Sequence, residues 1–265
     1  MIHSQFPCLT QKIKGKQLFF FSDFDGTLAP IRRDPAKVVL SARVRRILEA
    51  LILRMPVAII SGRPLTYLHK VINMPEIVLA GNHGLEIDLP NIARLPVQSF
   101  RHPEALACKK RIHQLARRLQ QACKEIKGTL IEDKGLSLTF HYRAVLSALH
   151  ETAFKTFDEI IKPFQDKGLL RVSRGKMCLE VRPNIDWGKA EAMAWILDVY
   201  QSSRTKISFF PVYMGDDETD RAAVALAYKK GISLFKGSPN GTRATYFVES
   251  HEEIIRFMRP FMTAS

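Results

Sequence analysis

The chain has 265 residues, 46% apolar and 25% charged. That is enough for one large domain or two modest ones, and the composition excludes disorder as a default. The formal net charge of +14 suits anionic partners in general. No helix-turn-helix, RNA-binding sheet motif or aromatic interleaving accompanies it, so nucleic acid is not expected. No apolar run approaches the roughly 20 residues that span a bilayer, and no signal-like segment opens the sequence. A cytoplasmic protein with no membrane partner is expected, acting as a monomer.

In chain order, an apolar strand at 18–22 leads directly into Asp23 and Asp25. A helix at 41–54 follows, then a strand at 57–61 ending in Ser61-Gly62-Arg63, a helix at 64–72 and a strand at 77–80. Continuous apolar strands between helices indicate a parallel sheet covered on both faces. The segment 88–98, with Pro90 and Pro96, reads as a hinge.

The pattern then changes. A helix at 103–127 turns Ile112, Leu115, Leu119, Ala122 and Ile126 inward and carries a basic, solvated outer face. Strands follow at 129–132 and 135–141. The second alternates Leu136, Leu138 and Phe140 with Ser137, Thr139 and His141, as in a sheet covered on one face. A helix at 147–164 and strands at 169–173 and 177–181 complete an α+β unit, with its exit at 182–184. The α/β pattern then resumes with Lys189 opening a helix, a strand at 209–214 and a helix at 217–228. The expected architecture is α/β: a doubly wound, Rossmann-like parallel-sheet core from 1–98 and 184–265, with a smaller α+β cap inserted at 99–183. Cys8, Cys108, Cys123 and Cys178 have neither Cys-x-x-Cys nor zinc-like spacing, so reduced thiols are expected.

The chemistry gathers at strand ends, where ligands sit in open α/β sheets. Asp23 can attack phosphorus and form an aspartyl-phosphate. Asp25 can protonate the leaving oxygen and later deprotonate water. Ser61, at the next strand end, can hold a phosphate oxygen, or it can cap the following helix. The stretch Gly215-Asp216-Asp217-Glu218-Thr219-Asp220 ends another strand. Clustered carboxylates there imply a cation, although Asp217 also suits a helix cap. Asp23, Asp25, Asp216 and Asp217 are the candidate ligands of Mg2+. Lys189 can bridge nucleophile and phosphate.

Taken in order, Asp-x-Asp-Gly-Thr, Ser, Lys and Gly-Asp-Asp resemble the haloacid-dehalogenase-like phosphotransferases. Within them the chain is similar to the trehalose-6-phosphate phosphatases. The likeness rests on DFDGTLAPI, SGR, GNHGLE at 81–86, EDKGLSLTFHYR at 132–143, GKMCLEVRP at 175–183 and GDDETD. The sequence departs from the family pattern at Arg221, and at Gly188-Lys189-Ala190, where the family reads Lys-Gly. The resemblance implies a magnesium-dependent phosphatase of a small sugar phosphate, trehalose 6-phosphate. It implies substrate contacts at Glu132, Lys134, Lys176 and Glu180 in the cap, and at Arg63, His83 and Glu86 in the core. Carboxylates and ammonium groups suit a ligand rich in hydroxyls. The alternatives are a phosphatase of another glycosyl phosphate (sucrose, glucosylglycerol or mannosylglycerate phosphate) and a catalytically silent module associated with a synthase.

Overall fold

The computed structural model describes residue 6 and residues 8–32, 37–91, 95–175, 177–203 and 208–263. In chain order these form α1 (Leu9–Ile13), β1 (Leu18–Ser22), α2 (Ala42–Ile52), β2 (Val57–Ile60), α3 (Leu65–Ile72), β3 (Val78–Gly81), β4 (Glu86–Asp88) and β5 (Ser99–Arg101). Next come α4 (Pro103–Ala122), β6 (Leu130–Asp133), β7 (Leu138–His141), α5 (His150–Gln165), β8 (Leu170–Gly175) and β9 (Cys178–Pro183). The chain continues through α6 (Lys189–Ser202), β10 (Phe210–Gly215), α7 (Arg221–Lys230), β11 (Ile232–Lys236), β12 (Tyr246–Val248) and α8 (His251–Met258).

Two compact units result. One runs to Phe100 and resumes at Trp187, and the other is Arg101–Asp186. The first is built on an eight-stranded sheet in the order β12-β11-β10-β1-β2-β3-β4-β5. Every described pair from β12 to β3 is parallel, and β4 joins antiparallel. Strand β1 explains why the sheet sits at the centre. Its side chains alternate between faces. Phe19 and Phe21 stack on one face with ring centroids 4.3 Å apart, while Phe20 meets Phe261 on the other. Phe20 joins the cluster that includes α2, α3 and α8 residues, and Phe19 and Phe21 join the one with α6 and α7 residues. The chain leaves β1 toward β2 on one side and later returns to β10 on the other. This reversal is the switch point at which open α/β sheets bind ligands.

The second unit is a four-stranded antiparallel sheet in the order β6-β7-β9-β8. One face packs Ile131, Leu138, Phe140, Leu179 and Val181 against Leu115 and Leu119 of α4 and Phe157 and Ile161 of α5. Three expectations need correction. Helix α4 stops at Ala122, and Ile126 reaches the core from the turn beyond it. The helix expected at 217 begins as a short 3₁₀ turn, Glu218–Asp220, before α7. Ser137 and Thr139, read as the open side of an alternating strand, are buried at 0% and 3% exposure. Within the expected hinge, residues 92–94 lie outside the described residues. Among the described residues no helix is long and apolar enough to cross a membrane.

Candidate active site

Asp23 follows the last residue of β1, and its amide donates to the carbonyl of Met214 at the same level of β10. It is 4% exposed. Lys189, the first residue of α6, reaches it from the side: Nζ donates to Asp23 Oδ1 at 2.7 Å and to Asp220 Oδ1 at 2.8 Å. Asp220 is fully buried and also accepts from the hydroxyl of Tyr213 at 2.7 Å. Its other oxygen accepts the amides of Asp216 and Asp217, each at 3.2 Å. Asp220 therefore ties the Lys189 ammonium to the turn that displays Asp216. The sequence reading placed it in the acidic stretch but gave it no role. The available signal was its position in the first turn after a strand end, three residues beyond Asp217.

Burial dominates the electrostatics. It pushes the Asp23 carboxyl well above its ordinary value; Lys189 opposes this, and Asp220 and Asp216 add to it. Burial likewise lifts Asp220 to about 6 against the pull of Lys189. For Lys189 burial alone would lower the value, but Asp220 and Asp23 hold it well above the usual lysine range. One buried ammonium thus faces two buried carboxyl groups, a crowding that a further cation would relieve.

Asp216 adds to that crowding. Its side chain is 2% exposed, Oδ1 accepts from the Thr27 hydroxyl at 3.2 Å, and Oδ2 lies 4.0 Å from Lys236 Nζ. Lys236 also donates to the carbonyl of Gly26. Gly26 has φ 94°, and a Cβ there would fall 2.2 Å from Asp216 Oδ2, so only glycine lets this loop approach the carboxylate. Asp23, Asp216 and Asp220 each offer an oxygen within 4.8 Å of the others. Three hard oxygen donors grouped so closely fit a divalent cation.

That trio differs from the expected Asp23, Asp25, Asp216 and Asp217. Asp25 instead receives Arg63, with Nε to Oδ2 at 2.7 Å and Nη2 to Oδ1 at 2.8 Å. Asp217 caps the 3₁₀ turn, accepting the Thr219 amide at 2.9 Å and its hydroxyl at 2.6 Å. Burial would raise the Asp217 carboxylate, but Lys189 and the Thr219 hydrogen bond outweigh it and bring it down to about 2.

Beyond β2, the Ser61 hydroxyl accepts the Arg63 amide at 3.1 Å, so its own proton faces elsewhere. Asn82 and His83 take left-handed backbone angles, φ 49° and 58°. Their amides donate to the carbonyls of Arg63 and Ser61, each at 2.8 Å. A Cβ on Gly62 would lie 2.7 Å from His83 Nε2, so the two turns interlock. Glu86 holds them together. Its Oε1 accepts the Leu65 amide at 2.8 Å, where Pro64 provides no side-chain cap, and the Asn82 amide group at 2.7 Å. The structure thus brings Asp23, Lys189 and Asp216 together, and Arg63 onto Asp25, while Glu86 binds its own chain.

In the Arg101–Asp186 unit, β6, β7, β9 and β8 align Glu132, Thr139, Glu180 and Ser173 in one row across the sheet. Lys134 lies 3.3 Å from Glu180, and His141 lies 3.2 Å from Glu132. Lys176 lies outside the described residues.

A family model described as trehalose-phosphatase matches residues 21–251. A probable trehalose-phosphate phosphatase I of Arabidopsis thaliana is 29% identical over 262 residues, covering 96% of this chain and 70% of that protein. The C-terminal domain of a C. albicans trehalose-6-phosphate phosphatase superposes with a TM-score of 0.79 at 21% identity, covering 98% of this chain and 97% of that one. An Aspergillus fumigatus trehalose-6-phosphate phosphatase gives a TM-score of 0.62 at 25% identity, with 97% of each chain covered.

Proposed function

The chain belongs to the trehalose-phosphatase family, and on that premise we propose that it hydrolyses trehalose 6-phosphate with magnesium. The observation that supports the reading best is the buried Asp23 at the sheet's switch point, held at 2.7 Å by Lys189 and grouped with Asp216. An oxygen of Asp23 attacks phosphorus, and the bond from phosphorus to the sugar oxygen breaks. Asp25 gives its proton to that departing oxygen. Asp25 then takes a proton from water, whose oxygen attacks phosphorus and releases phosphate from Asp23. Lys189 holds the nucleophile and offers positive charge to the phosphoryl group, and Ser61 offers its hydroxyl. Oxygens of Asp23 and Asp216 would hold magnesium, which would offset the repulsion between the two anions. Asp220 keeps Lys189 and the Asp216 turn in place.

The α+β unit acts as a cap, and Glu132, Lys134, Lys176 and Glu180 read the disaccharide from it. Glu132 and Lys134 are partnered by His141 and Glu180, groups that a sugar's hydroxyls can replace. A cytoplasmic monomer is the acting form, in keeping with four cysteines that are all free thiols.

The test is phosphate release from trehalose 6-phosphate and from sucrose, glucosylglycerol and mannosylglycerate phosphates, with and without magnesium. Preference for trehalose 6-phosphate and loss of turnover on chelation are expected. A preference for one of the others reassigns the cap, full activity after chelation removes the metal, and no release from any of them points to a silent module.

A further inference from the structure

Arg63 is buried at the mouth of the site and turns its fork inward, onto Asp25. Two parallel N–H···O bonds at 2.7 and 2.8 Å fix the plane of a carboxylate as well as its position. Asp25 needs such a hold: its side chain is 32% exposed, and an aspartate left alone samples several rotamers. Arg63 is itself held from behind. Its guanidinium lies 4.5 Å over the Tyr67 ring, and the Tyr67 hydroxyl donates to the Val38 carbonyl at 2.8 Å. Its amide donates to Ser61 Oγ, and its carbonyl accepts from the Asn82 amide. The stiffness of α3 and of two interlocked turns is thus carried through one side chain to Asp25.

We infer that Arg63 is a positioning residue for Asp25, aiming the general acid–base carboxylate at the leaving oxygen, rather than a contact to substrate. This rests on the reading of Asp25 given above. A general acid must come within about 2.6–3.2 Å of the oxygen it protonates, and a misplacement of about 1 Å can cost 10²-fold in rate. The effect must appear only where the leaving group needs a proton. A sugar alkoxide needs one; p-nitrophenolate does not. Lysine replaces the fork only in part, because it is a point charge without bidentate geometry.

The experiment compares Arg63→Met, Arg63→Lys, Asp25→Asn and the Arg63→Met/Asp25→Asn double variant, with folding checked by circular dichroism. Phosphoryl transfer is followed in a single turnover with trehalose 6-phosphate and as the p-nitrophenolate burst from p-nitrophenyl phosphate. Arg63→Met should slow the sugar substrate by about 10- to 100-fold at unchanged KM, within the range for a displaced catalytic group. The burst should change by less than about threefold, since no general-acid contribution is at stake there. Arg63→Lys should recover part of the loss. In the Asp25→Asn background, Arg63→Met should add almost nothing, because the carboxylate it aims is gone. A raised KM at unchanged kcat would return Arg63 to substrate binding. Equal losses on both substrates, or full additivity with Asp25→Asn, would make it structural. If Asp25→Asn shows no leaving-group dependence while Arg63→Met does, the assignment of Asp25 fails, and the inference with it.

Discussion

The two units hold their charged groups in different ways. At the end of β1 the contacts are short and buried: Lys189 bonds Asp23 at 2.7 Å and Asp220 at 2.8 Å, and all three residues are at most 4% exposed. Along the row of Glu132 and Glu180 in the Arg101–Asp186 unit the pairs are longer and wetter. Lys134 meets Glu180 at 3.3 Å and His141 meets Glu132 at 3.2 Å, with side chains 9–31% exposed. The first arrangement is preorganised for charge that develops in a transition state, and its groups gain nothing by moving. The second can exchange a protein partner for a sugar hydroxyl at small cost. On the proposed function, the rigid network serves the chemistry and the exchangeable pairs serve recognition.

The comparison breaks most sharply at Asp23. Asp23→Asn keeps the size and one oxygen to accept from Lys189 but removes the charged, attacking carboxylate. Turnover should fall by about 10⁶-fold, as when a nucleophile is lost from groups that act as a unit, with an unchanged circular dichroism spectrum. More than a few per cent residual activity would mean another nucleophile. Lys189→Met asks whether the network is also structural. It leaves the buried Asp23 and Asp220 carboxylates uncompensated, a loss of about 3–5 kcal/mol where a buried pair loses one partner. Urea denaturation should show that drop. A stability within about 1 kcal/mol of wild type would mean that the ammonium matters only to the reaction, since uncompensated burial of charge costs several times that.

The recognition side should respond more gently and more selectively. Glu180→Ala should lower kcat/KM for trehalose 6-phosphate by roughly 10- to 150-fold, the equivalent of one hydrogen bond to a charged group at about 1.5–3 kcal/mol. A small aryl phosphate should barely notice. An equal loss on both substrates would move Glu180 from recognition to support of the fold or the chemistry.

Much of the site was legible in the sequence because each motif begins where an apolar strand ends. The strand at 18–22 has the bounds read for it, and Asp23, Ser61 and Asp216 follow β1, β2 and β10 as the strand rule requires. Lys189 opens α6 where the helical pattern placed it. What sequence could not supply was rotamer and partner. Asp25 and Asp217 carry the right chemistry for a cation, yet one is taken by Arg63 from 38 residues away and the other by Thr219, two residues on. Asp220 gains its place through Tyr213 and Lys189, one on the preceding strand and one 31 residues back. The elements not expected from sequence include β11 and α8, which follow the last motif, and the short β4 with Glu-Ile-Asp and β12 with Tyr-Phe-Val. Three residues carry too little periodicity to read.

Asp217 offers the smallest effect and the finest distinction, because it sits beside Asp216 and shares its chemistry. If its role is the cap seen here, Asp217→Ala loses two acceptor contacts with Thr219. Such a loss costs about 0.5–2 kcal/mol, a fall of a few degrees in Tm for a chain of this size. Magnesium should stabilise this variant and the wild type alike, since a ligand that binds only the folded state raises stability by RT ln(1 + [L]/Kd) whatever the starting Tm. Asp216→Ala should behave in the opposite way, abolishing the magnesium-dependent rise because it removes one of the three clustered oxygens. The measurement is Tm against magnesium concentration for the two variants, with no substrate present. If Asp217→Ala also flattens that curve, Asp217 turns toward the metal when the metal binds, as the sequence led us to expect.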